Sequence, residues 1–156
     1  MCAICDGKTP EEFLAGVHER IERFGFTMVR VEANPDHPSW LYTVGLVEHH
    51  DHPELSALGM PVRFAHAVLD ELSHRVMGGQ SFQPGDDVVV RGTRFHVDDV
   101  DHRLWEGDTF NQWKEYYAWR GDMPPVPSAL EVVARDPQPN AFSSTRTHRG
   151  HRPTSA

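Results

Sequence analysis

Cysteine and lysine are the scarce residues of this chain. Both cysteines, Cys2 and Cys5, fall within the first six residues, so no disulfide framework can staple the remainder, and the fold must rest on a buried apolar core. Lysine occurs only at Lys8 and Lys114, and arginine carries the rest of the positive charge. Long hydrophobic runs are missing too, and none approaches the roughly 18 residues that a membrane span requires. The opening Met1-Cys2-Ala3-Ile4-Cys5-Asp6 has neither the basic start nor the apolar run of a secretory leader. A cytoplasmic protein with no membrane partner is expected. Several signatures are absent as well: G-x-x-x-x-G-K-S/T, G-x-G-x-x-G and H-E-x-x-H, and the G-x-S-x-G elbow. Nucleotide hydrolysis, dinucleotide chemistry and serine hydrolysis thereby lose their usual signals. The formal net charge of -8 repels phosphate backbones, so nucleic acid is not an expected partner. The arginines Arg146, Arg149 and Arg152 stand in a C-terminal stretch without acids, which reads as a short solvated tail.

Against these absences stand 156 residues, 38% of them hydrophobic, with four tryptophans, three tyrosines and eight phenylalanines. That suffices for one core and argues against wholesale disorder. Thr9-Pro10-Glu11-Glu12 opens a helix predicted over 10–24. Thr9 and Glu12 form a capping box, Pro10 suits the first helical position, and Phe13, Val17, Ile21 and Phe24 recur at helical spacing before Gly25. Strands are expected over 26–32 and 40–47, paired antiparallel across the turn formers of 33–39, and a short third strand over 54–58. Pro61 opens a second long helix with a buried stripe of Ala65, Val68, Leu72 and Val76, stopped by Gly78 and Gly79. Residues 88–91 and 94–97 read as a hairpin, 109–119 as a helix capped by Thr109 and Gln112, and 129–134 as a short apolar strand in the middle of the sheet. The prediction is one α+β domain over 1–142, an antiparallel or mixed sheet of five or six strands with two to three packed helices. Residues 143–156 are expected to form a disordered basic tail.

Four stretches also resemble one known group. They are Met1-Cys2 with Cys5-Asp6, Leu41-Tyr42-Thr43-Val44-Gly45-Leu46, His52-Pro53-Glu54-Leu55 with Gly59, and Leu130-Glu131-Val132-Val133 leading to Asp136. Together they make the chain similar to the bacterial family catalogued as domain of unknown function 4262. Where that family tends to show Trp-Pro-Asp and later Phe-Pro-Trp, this chain has Ala134-Arg135-Asp136 and Asn140-Ala141-Phe142. The resemblance implies a domain and no activity.

The residues themselves suggest candidate sites. Cys2 and Cys5 have the spacing of half a zinc knuckle, and His49 and His52 lie on the histidine-rich stretch that follows residue 47. A structural zinc on Cys2, Cys5, His49 and His52 is one expectation. His52 and Glu54, two apart, would share the face of a regular strand, and a metal-assisted hydrolase using the His49–His52 turn with Glu54 is the alternative. Tyr42, Thr43 and Gly45 on the neighbouring strand, with Trp113 and Tyr117, make a candidate ligand pocket. His66, Asp70 and His74 share one helix face with Arg63, a pattern that a solvated polar face also explains. Six aromatic side chains lie between Trp105 and Trp119, too many for one helical stripe, so some should meet a pocket or a partner. The favoured reading is a domain that binds a small ligand or a protein partner, and symmetric association into a homodimer is compatible with it.

Overall fold

In the computed structural model residues 7–36, 38–121 and 126–135 are described, His102 by its backbone alone. The Cys2 and Cys5 pair, Asp136 and the tail expected beyond Phe142 lie outside them. The chain runs α1 (Pro10–Phe24), β1 (Thr27–Val31), β2 (Trp40–Val44), α2 (Leu46–His50), β3 (Glu54–Leu58), α3 (Val62–Met77), β4 (Asp87–Val90), β5 (Thr93–Asp99), α4 (His102–Glu106), α5 (Asn111–Arg120) and β6 (Ala129–Ala134). The six strands form one mixed sheet in the order β1-β2-β3-β6-β5-β4. Every pairing is antiparallel except β3 with β6, which is parallel. This is a single α+β domain, and the apolar 129–134 strand is central as its composition predicts.

Alternation along the strands divides the core in two. Leu41, Leu55, Ala57, Val88, Val90, Phe95, Val97, Leu130 and Val132 point to the face covered by α3, whose Phe64, Ala65, Val68, Leu69, Leu72 and Val76 are buried against them. Val29, Trp40, Tyr42, Val44 and Ala129 point to the other face. There α1 brings Leu14, Val17 and Ile21, and the α5 segment brings Phe110, Trp113, Tyr116 and Tyr117. This second cover ends at β6, so Asp87, Val89 and Asp98 on the same side of β4 and β5 are exposed.

Helix α1 forms as its sequence dictates. The Glu12 N–H donates to Thr9 Oγ1 at 3.2 Å, the Thr9 N–H donates back to Glu12 Oε2 at 3.1 Å, and Gly25 closes the helix at φ 88°. Two local expectations are corrected. The strand expected to reach Val47 stops at Val44, because Gly45 turns the chain at φ 115° and Leu46–His50 coil into the short helix α2. Helix α5 starts at Asn111 without the capping box expected of Thr109 and Gln112. Instead, the Asn111 side chain donates to Asp108 Oδ1 at 3.1 Å.

Candidate functional site

The stretch from Tyr42 to Leu55 closes on one side chain. Glu54 opens β3 with no exposed surface, and its carboxyl lies where β2 gives way to α2. Thr43 Oγ1 donates to Oε2 at 2.7 Å, the Gly45 N–H to Oε1 at 2.8 Å, the Leu46 N–H to Oε2 at 3.2 Å and the Val47 N–H to Oε1 at 3.4 Å. From α5 the indole N–H of Trp113 donates to Oε1 at 3.2 Å. The first N–H groups of a helix have no intrahelical acceptors, and here a side chain from a neighbouring strand accepts those of Gly45, Leu46 and Val47 at the start of α2. Thr43 Oγ1 also accepts the Leu55 N–H at 2.9 Å, which ties β2, α2, β3 and α5 together. Burial pushes the Glu54 carboxyl up to about 7, and the donors from Thr43, Gly45, Trp113 and Leu46 restrain that rise. Substituting Trp113→Phe keeps an aromatic ring, removes the donor and leaves a void where the larger indole packs. We expect a loss of about 2–3 kcal/mol of unfolding free energy in urea from the void and the lost bond together; an unchanged midpoint would show that neither contributes.

His52 has a different use. Its Nδ1 lies 2.7 Å from the Pro53 carbonyl, and its Nε2 accepts the Phe82 N–H at 2.9 Å. These two bonds together require a neutral ring with the proton on Nδ1, and burial holds its pKa below the usual histidine value. His52 packs edge-on against Phe82 on the α3 side of the sheet, while Glu54 meets Trp113 on the other. As placed, the two share no face, His52 has no free lone pair for a metal or a proton, and the metal-assisted hydrolase gains no support. His49 turns to Glu22 and Glu48, at 4.0 and 3.7 Å, away from the Phe82 partner of His52. Among the described residues no group of three or more His, Cys, Asp or Glu is placed to hold a metal; the cysteines of the expected zinc site are not among them. No described helix is long and apolar enough to cross a membrane.

A family model described as Domain of unknown function (DUF4262) matches residues 20–141. The chain belongs to this family. No curated protein and no solved structure matches it. In this DUF4262 domain Tyr42, Thr43, Trp113 and Tyr117 are all buried. Thr43, Gly45 and Trp113 do meet, but on the Glu54 carboxyl, inside a packed knot.

Two clefts of the DUF4262 domain are lined by none of those five residues. One, of about 490 Å³, opens at the far end of the same strands between Val31, Asp36, Pro38, Trp40, Leu58, Leu104, Asp108 and Thr109. Its walls are apolar, and its only charged lining residues among those described are Asp36 and Asp108. Trp40 is buried, and its indole N–H has no acceptor among the described residues, which is uncommon for a buried indole. The other, of about 530 Å³, is an open groove beside β1. It is lined by Arg20, Phe24 and Phe26 through Met28, by Arg30 and Leu41, and by Val62, His66, Asp70 and His74 of α3. The four-residue spacing of His66, Asp70 and His74 did mark one wall of that groove. Nothing in the sequence marked the first cleft, because Asp36 and Asp108 stand far apart in the chain and belong to no motif.

Proposed function

We propose that this domain is a small-molecule binding module whose ligand is an organic cation, an amine or amidine with an apolar body, seated in the cleft between Trp40 and Leu104. One observation carries the reading: an apolar cleft of about 490 Å³ whose only charged lining groups among the described residues are the two carboxylates of Asp36 and Asp108. Pockets of this size with a few convergent polar groups are the usual form of a ligand site. Asp36 and Asp108 attract the cationic head, Val31, Pro38, Leu58 and Leu104 cover the body, and the indole of Trp40 offers a π surface for the cation. An acceptor on the ligand would also satisfy the buried Trp40 N–H.

Calorimetric titration with phenethylamine, benzamidine and spermidine, with phenylacetate as the charge-reversed control, tests the proposal. At least one of the cations is expected to bind with Kd of roughly 0.1–1 mM, weakening with added salt, while phenylacetate does not bind. Converting Asp36 and Asp108 together to asparagine should weaken the interaction roughly ten-fold or more. Equal binding of phenylacetate, or affinities untouched by the double substitution, would overturn it.

A further inference from the structure

The groove beside β1 has a different character, and it points to a protein partner. The sheet has two edges, β1 and β4. An edge strand presents unpaired N–H and C=O groups that invite another strand, and natural proteins cover or blunt such edges. The β4 edge is short and blunted, since Arg75 of α3 donates from Nη2 to the Val89 carbonyl at 2.9 Å. Among the described residues strand β1 pairs only with β2, over Thr27 to Val31, and no described element covers its outer side in the same way. Along that side runs the open groove of about 530 Å³. Phe24, which is 54% exposed, borders it from α1, and Phe26, Met28, Leu41 and Val62 supply its apolar floor.

Its charge runs against that of the chain. In a protein of net charge -8, the described lining of this groove carries the guanidinium groups of Arg20 and Arg30 and the imidazoles of His66 and His74 against the single carboxylate of Asp70. Arg20 is pinned at the strand edge, its Nε donating to Thr27 Oγ1 at 3.1 Å. Arg30 lies 3.2 Å from Glu32 on the exposed rim. His74 directs Nδ1 to the Asp70 carbonyl at 2.8 Å.

We propose that the outer edge of β1 docks an extended, acidic segment of a partner protein, which pairs with Thr27–Val31 as a seventh strand. Main-chain bonds to β1 supply the affinity. Alternate side chains of the incoming strand enter the apolar floor, and its acidic residues face Arg20, Arg30, His66 and His74. A second copy of this chain is a poor occupant, because pairing two β1 edges about a two-fold axis brings the same cationic rims together. An acidic strand meets Arg20, Arg30 and the imidazoles of His66 and His74, against the carboxylates of Asp70 and, at the rim, Glu32.

The test is an amide-resolved NMR titration of the full chain with a ten-residue peptide of alternating glutamate and valine. Its controls are a lysine–valine peptide and a glutamate–valine peptide N-methylated at alternate residues. The expected result is that the amides of Thr27–Val31 shift, and that those pointing away from β2 become protected from exchange. Both controls should bind roughly ten-fold more weakly or worse, as should the glutamate–valine peptide to Arg30→Glu, a variant at an exposed position that leaves the core untouched. Equal binding of the lysine or N-methylated peptide would overturn the proposal. So would protection, in the free chain, of the β1 amides that point away from β2, whether by the chain's own first residues or in a dimer seen by sedimentation.

Discussion

Glu54→Ala is expected to remove on the order of 3–5 kcal/mol of unfolding free energy, the largest single-residue loss in this domain. The residue is wholly buried, and truncating it leaves the Thr43 hydroxyl, three N–H groups at the start of α2 and the Trp113 indole N–H without their common acceptor. Domains of this size hold roughly 5–15 kcal/mol in all, so urea unfolding at pH 7 should show a much earlier midpoint. Glu54→Gln is the informative companion. A carboxamide retains the shape and one acceptor oxygen, and its NH2 in place of Oε2 can donate to Thr43 Oγ1, leaving the Leu46 N–H as the principal loss. It should cost only about 1–2 kcal/mol. If alanine and glutamine variants unfold alike, the knot around Glu54 does not hold β2, α2 and α5 together.

The same residue sets a pH dependence whose sign can be worked out. Glu54 rises from the ordinary carboxyl value of 4.5 to about 7 on folding, so between those values the native state binds more protons than the unfolded chain. Stability from this group is therefore complete below about 4.5, falls as the pH rises through the interval, and is flat above about 7. The drop is on the order of 3 kcal/mol. His52, lowered by burial, acts in the opposite sense, since the unfolded ring takes up a proton below 6.5 while the buried one resists it. Glu131, raised by burial beside Asp98, adds to the fall. The difference between the native chain and Glu54→Gln isolates Glu54. It should shrink as the pH is raised from 5 to 8, and a difference constant across that range would show that the carboxyl titrates normally.

Most of the fold is legible from local signals. The Thr9–Glu12 box, the Gly25 stop, the α3 stripe and the apolar 129–134 strand each have a physical cause within a few residues, and each is found in place. The failures share a cause as well. Leu46 and Val47 continue the apolar run of β2, so nothing local separates strand from helix there. The separation comes from Glu54, which accepts the backbone N–H groups that Gly45 turns towards it, and backbone donors have no letter in a sequence. Helices of five residues such as α2 and α4 are also too short for a 3.6-residue period to show. Thr43, Gly45 and Trp113 come together on the Glu54 carboxyl. Whether such a group encloses a cavity or a side chain depends on how closely the elements approach, and here Glu54 fills the space. The aromatic excess of 105–119 divides in the same way: Phe110, Trp113, Tyr116 and Tyr117 are buried between sheet and α1, Trp105 stacks on Phe110 at 4.0 Å, and Trp119 stays 37% exposed.

Gly45→Ala should be nearly as damaging as the loss of Glu54, at roughly 2–4 kcal/mol, for two separable reasons. The backbone at Gly45 has φ 115° and ψ -17°, a conformation that L side chains rarely adopt. An added Cβ would also stand 3.1 Å from Ile21 Cγ2, 3.2 Å from the Gly25 carbonyl oxygen and 3.3 Å from Phe26 Cα. Two of those three atoms are backbone at the α1–β1 junction, so they cannot yield by a change of rotamer. Relief requires moving the junction, and with it the Gly45 N–H that donates to Glu54. Gly92→Ala separates the reasons. Gly92 has φ 80° in the β4–β5 turn, and nothing lies within 4 Å of its added Cβ, so that variant carries conformational strain alone, about 1 kcal/mol. Urea unfolding of both variants measures the excess at Gly45, and an excess near zero would mean that the α1–β1 junction gives way freely. A large excess, strengthened rather than added when combined with Glu54→Gln, would establish that the turn at Gly45 and the buried carboxyl form one cooperative unit.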